Sequence, residues 1–144
     1  MPSDSADNRH LLRLPNGLRV VHVHRPGARV DYLALSVNVG SRDDAPGCEG
    51  LAHFVEHTIF KGTDIHRSSY IINRMEAVGG ELNAYTTKEE TVVYTVAPSG
   101  NLRRSVDLIY ELIAHSSFPQ AEIDREREVV LDEIASYLDS PSEA

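Results

Sequence analysis

His53-Phe54-Val55-Glu56-His57, at the centre of GLAHFVEHTIFKGT (Gly50–Thr63), decides how the rest of the chain is read. Two histidines four residues apart lie one above the other on one face of a helix. Imidazoles at that spacing reach a single tetrahedral zinc ion. Glu56 follows the first histidine by three residues, points to nearly the same side, and is placed to act on a metal-held water. This H-x-x-E-H order inverts the commoner H-E-x-x-H and belongs with the metallopeptidase signatures. Alone it fixes three residues, and an ordinary surface helix with two histidines and an acid looks the same.

The pattern predicts a helix from about Leu51 to Phe60, stopped by Lys61-Gly62-Thr63 with Gly62 as a positive-φ cap. Upstream, Leu14-Pro15-Asn16-Gly17 is a turn and Leu18–His24 a strand. The clearest strand is Asp31–Gly40. Leu33, Leu35, Val37 and Val39 alternate there with Tyr32, Ala34, Ser36 and Asn38, and the small residues of that second face suit close packing or a cleft border. Residues 1–13 read as a disordered lead-in to a single module over 14–144.

Downstream, a helix over Ser68–Val78 carries Ile71, Ile72, Met75 and Val78, and Gly79-Gly80 ends it. Glu81–Thr86 and Thr91–Ala97 form a hairpin around a polar loop, the second strand apolar on both faces. Asn101 starts a helix to His115 with Leu102, Val106, Ile109 and Ile113 inward. The last helix, Gln120–Leu138, opens with a capping box of Ser117 and Gln120. Strand pairs alternating with helix pairs predict the α+β class, a largely antiparallel sheet covered by helices. Such a sheet is expected to need a further strand or two.

A catalytic zinc takes three protein ligands, so two histidines are not enough. The last helix offers Glu126 and Glu133, seven residues apart and therefore on one face, together with Val130 and Tyr137. Carboxylates turned inward need a cation or a proton. Spacing alone leaves open which of the two is the ligand and which stands behind it. A solvated acidic face is the plain alternative.

Composition narrows the functions. The 144 residues are 41% hydrophobic and 25% charged, with net charge −8. A negative chain without a basic run is a poor partner for nucleic acid. No apolar run suits a membrane span, and MPSDSADNRH (1–10) is unlike a secretory signal, so a cytoplasmic setting is expected. Cys48 stands alone, which rules out an internal disulfide and a Cys-rich zinc site. His22, His24, His66 and His115 read as surface or packing residues.

The chain resembles the N-terminal part of the pitrilysin/insulinase-type zinc metallopeptidases, the inverted zincins that include the mitochondrial processing peptidase β subunit. The resemblance rests on GLAHFVEHTIFKGT (50–63), GGELNAYT (79–86) and EIDREREVVLDEI (122–134), with LPNGLRV (14–20) and NVGSRD (38–43) in the same order. It implies one zinc ion held by His53, His57 and Glu133, with Glu126 supporting the site from behind. It makes Glu56 the general base acting on metal-activated water, and the Glu81–Thr86 strand the edge on which an extended peptide substrate adds, at Asn83 and Ala84. The implied function is endopeptidase action on peptides or unfolded proteins. Family members are longer and close a chamber over the site with a second module. A second peptidase module or a homodimer is therefore the expected partner, and little hydrolysis is expected from this chain without one. Two other functions fit less well. A non-catalytic peptide-binding partner would not need the intact motif. A lyase cleaving S-ribosylhomocysteine shares H-x-x-E-H but needs a downstream cysteine, whereas Cys48 lies upstream.

Overall fold

The structure, a computed structural model, describes residues 8–139. Its elements in chain order are β1 (Arg9–Arg13), β2 (Arg19–Val23), β3 (Val30–Val37), α1 (Leu51–Thr58), α2 (Ser68–Glu76), β4 (Glu81–Thr86), β5 (Thr91–Pro98), α3 (Leu102–His115) and α4 (Gln120–Asp139). This is the expected α+β arrangement, in two antiparallel sheets. β1 and β2 form a hairpin, and the second sheet has the order β3-β5-β4.

The expected lead-in needs correction at its end. Residues 9–13 form β1, paired with β2 from Arg9↔Val23 to Arg13↔Arg19 across the Asn16-Gly17 turn. Leu11 and Leu12 are adjacent and both exposed, so β1 has no alternation to betray it. Residues 1–7 lie outside the described part.

β5 is the central strand. Leu33 and Leu82 both pair with Thr95, and Leu35 and Ala84 with Val93, which sets one sheet face toward the helices. Val93, Ala97, Ile71, Met75, Leu108, Ile109 and Leu112 are buried together there, with Ala84 and Ile59. Removing one such aliphatic side chain from water contributes about 1.5–3 kcal/mol. On the opposite face Tyr32 and Ala34 of β3 are exposed, whereas Val92 of the central strand is buried. The small residues of β3 therefore face away from the packed side.

Two helices turn differently from the periodicity reading. Ile72 of α2 is 44% exposed, whereas Ile71 and Met75 are fully covered. In α3 the inward side chains are Ser105, Leu108, Ile109, Glu111 and Leu112, while Leu102, Val106 and Ile113 are exposed. Two adjacent stripes fit the same 3.6-residue period, and the true one includes a serine and a glutamate.

Helix starts are capped from a distance. Asp31 of β3 accepts from the backbone N–H groups of Gly100, Asn101 and Leu102 at 2.8–3.1 Å, satisfying α3. The Asn101 side chain instead donates to the Pro98 carbonyl. Asp44 accepts from Gly50 N at 2.7 Å and Ala52 N at 3.0 Å, fixing the start of α1. A carboxylate at either place also meets the positive end of the helix dipole. Ser117 does not close the expected capping box; its backbone N–H bonds the Gly62 carbonyl at 3.2 Å, tying the chain beyond α1 to the entrance of α4. Gly40 is required by contact: a Cβ there would lie 2.5 Å from backbone atoms of Thr87, Lys88 and Glu89.

Candidate metal centre

α1 packs against both α4 and β4, and this brings the motif to the far end of the chain. His53 and His57, one turn apart, present their Nε2 atoms to each other at 3.2 Å. Two nitrogens bound at about 2.0–2.1 Å to a tetrahedral ion would be about 3.3 Å apart. Glu133 Oε2 lies 3.5 Å from His57 Nε2. The donor atoms of His53, His57 and Glu133 all fall within 4.8 Å of one another, and this is the sole such group of three among the described residues. Two imidazole nitrogens and a carboxylate oxygen, each half-buried, suit a zinc ion by donor type and spacing.

Glu126 stands one step back. Its Oε2 lies 3.4 Å from His57 Nδ1, on the side of the ring away from Glu133, and the side chain is 12% exposed. Between the two glutamates Val130 is buried, as the shared helix face requires. Tyr137, expected on the same face, lies outside the residues whose side chains are described.

Glu56 opens onto a cleft of about 440 Å³ beside the histidine pair. Phe60, Lys61 and Ile72 line its sides, so the exposed isoleucine of α2 is a wall of the cleft and not core. Leu82, Asn83 and Ala84 of β4 form another wall. Among the described residues β4 is an edge strand, with β5 on one side only. Asn83 Oδ1 accepts from Ala84 N at 2.8 Å, so this side chain lies along the strand's own backbone. The Ala84 side chain belongs to the buried core, which makes its small size a matter of packing under the sheet. Gly80 borders the cleft in close contact with β5, where a Cβ would meet the Val96 carbonyl at 2.8 Å.

A second polar cluster, which sequence reasoning missed, holds the segment after α1. Glu111 of α3 is buried, and its Oε1 accepts from Thr63 Oγ1 at 2.7 Å and lies 2.9 Å from His66 Nδ1. Arg74 approaches its other oxygen at 3.8 Å, and the His66 ring stacks on Tyr70. Burial pushes the Glu111 carboxyl up, but hydrogen bonds from Thr63 and His66 and the charges of His66 and Arg74 outweigh it and hold the group below its ordinary value of 4.5. The unfolded chain therefore takes up this proton first as pH falls. The stabilising contribution is complete above the ordinary value and is lost as pH drops through the lower folded one. Glu111→Gln is expected to cost about 1–3 kcal/mol at neutral pH, and its denaturation midpoint should fall less steeply than the parent's below about pH 5.

The sequence profile of the insulinase family (Insulinase, Peptidase family M16) matches residues 19–144. The chain belongs to this family of peptidases. An uncharacterized zinc protease of Mycobacterium leprae is 41% identical over 131 residues, covering 91% of this chain and 29% of the relative. A probable mitochondrial-processing peptidase subunit beta of Arabidopsis thaliana is 36% identical over 130 residues, covering 90% of this chain and 24% of that protein. Among solved structures, pitrilysin superposes with a TM-score of 0.80 at 32% identity, over 90% of this chain and 14% of its own. A protease from Helicobacter pylori gives 0.82 at 30% identity, over 87% of this chain and 30% of its own. The chain thus spans less than a third of the length of each of these proteins.

Proposed function

We propose that this chain carries the metal-binding part of a zinc endopeptidase that hydrolyses peptides or unfolded proteins. The observation that supports this most is the convergence of His53, His57 and Glu133, of which His57 also lines, with Glu56, a cleft walled by β4. His53 Nε2, His57 Nε2 and Glu133 Oε2 would hold one zinc ion. Zinc in such a site supplies Lewis acidity, lowering the pKa of water to about 7 and polarising a carbonyl.

The chain's own residues do the rest. An extended peptide adds to the free edge of β4 through main-chain hydrogen bonds, which bind without regard to side-chain identity. Asn83 and Ala84 meet it there. The Asn83 side chain leaves its place against the Ala84 N–H when the peptide arrives. Glu56, at the cleft wall, takes a proton from the water attacking the scissile carbonyl and returns it to the leaving amine. Glu126 keeps the His57 ring oriented by facing its Nδ1. A second peptidase module or a second copy covers the open side of the cleft, in keeping with a relative named as a subunit.

The test is metal analysis combined with cleavage of an unfolded peptide by the full native chain, with and without its partner module. The expected result is on the order of one zinc per chain, hydrolysis that a chelator removes, and recovery on adding zinc. Hydrolysis untouched by chelation, or a purified chain with no affinity for zinc, would contradict the proposal.

A further inference from the structure

We infer that Lys61 is a positioning residue of the metal centre, acting on His57 through Glu126. This inference rests on the zinc-binding reading above and extends it by one residue. Lys61 Nζ lies 2.6 Å from Glu126 Oε1, the length of a strong charge-assisted hydrogen bond. The lysine side chain is 29% exposed and the glutamate 12%. A carboxylate so covered needs a compensating charge, and Lys61 is the cation that the structure places on it.

The two oxygens of Glu126 are divided between two partners. Oε1 is engaged by Lys61, and Oε2 is left facing His57 Nδ1 at 3.4 Å. An acceptor on that side favours the imidazole tautomer with its proton on Nδ1. The lone pair of His57 then sits on Nε2, the atom that faces His53 Nε2 and Glu133. Lys61 reaches this position because it follows His57 by four residues, just past the end of α1. Its backbone N–H is fixed by the Thr58 carbonyl at 3.0 Å. Gly62 and Thr63, directly after it, are held by Ser117, His66 and Glu111. The lysine therefore stands on an anchored turn, with its ammonium between α1 and α4.

Without Lys61, Glu126 would lose the contact that selects its rotamer, and the ring of His57 would lose its fixed acceptor. The effect would appear first in metal affinity. A lysine that only touched the substrate would change KM and leave zinc binding alone.

The experiment measures zinc affinity of the full chain by competition with a chromophoric chelator, for the parent, Lys61→Met, Lys61→Gln and Lys61→Arg. Nitrogen NMR of the zinc-loaded proteins reads the His57 tautomer. Thermal melting of the metal-free proteins reports the fold, and Lys61→Gln keeps a polar end should the methionine variant pack badly. The expected result is zinc affinity about 10–100-fold weaker in the methionine and glutamine variants, with exchange broadening of His57. Lys61→Arg should stay within a few-fold of the parent. Parent-like zinc affinity in both neutral variants would overturn the inference, as would an arginine variant as weak as they are. A parent that binds no zinc would instead overturn the metal centre itself.

Discussion

Replacing Glu56 with glutamine is expected to cut peptide hydrolysis by about 10²–10⁴-fold while leaving zinc affinity within a few-fold of the parent. Glu56 sits on the same helix as the histidine pair and lines the cleft, but it is not among the three side chains whose donor atoms converge. Its substitution therefore leaves the proposed ligands in place. Glutamine keeps the shape and the hydrogen-bonding reach of the side chain and loses only the ability to take a proton. The loss should fall on kcat with KM nearly unchanged, because the peptide would be bound by β4. The measurement is steady-state cleavage of an unfolded peptide by the full native chain with its partner module, with metal content determined on the same samples. Cleavage equal to the parent would remove Glu56 as the base. Loss of zinc along with cleavage would mean that it helps hold the metal.

Much of this centre was legible because its residues obey local spacing. His53, Glu56 and His57 share a helix face by the i,i+3/i+4 rule, and Glu126 and Glu133 by the seven-residue rule. What spacing leaves open is the order of the two glutamates, since both point the same way. The structure places Glu133 Oε2 3.5 Å from Nε2 of His57, in one group of donors with both histidines, and sets Glu126 against Nδ1 of His57. Lys61 reads from the sequence only as part of the segment that stops the helix; its contact with Glu126 joins residues 65 positions apart, which no local spacing reveals.

The reading of α3 fails for a specific reason: a glutamate and a serine lie on its inward face, where an apolar stripe is expected. Glu111 turns inward because Thr63, His66 and Arg74 come from other parts of the chain to satisfy it. That contact rotates the inward face of α3 away from the purely apolar stripe. Likewise α3 and α1 start where they do because Asp31 and Asp44 cap them, at separations in sequence that no local signal spans. Nearest-neighbour pattern finds helices and strands. Which way a helix turns depends on where its few polar side chains find partners.

Glu133→Ala is expected to have the other large effect. In the proposed centre one zinc ion joins α1 to α4, so metal binding is also a tertiary contact. A ligand that binds only the folded state stabilises it by about 2.7 kcal/mol at a hundredfold excess over Kd and about 4.1 kcal/mol at a thousandfold. Two histidines from one helix remain in Glu133→Ala, and they hold zinc without linking it to α4. Glu126→Ala removes only the support behind His57 and should weaken binding about 10–100-fold. The most direct measurement is the zinc-induced rise in Tm of the full chain beside these two variants. The predicted result is a clear rise in the parent, a smaller one in Glu126→Ala at the same zinc concentration, and none in Glu133→Ala. A rise that survives in Glu133→Ala and vanishes in Glu126→Ala would contradict the centre and exchange the roles of the two glutamates.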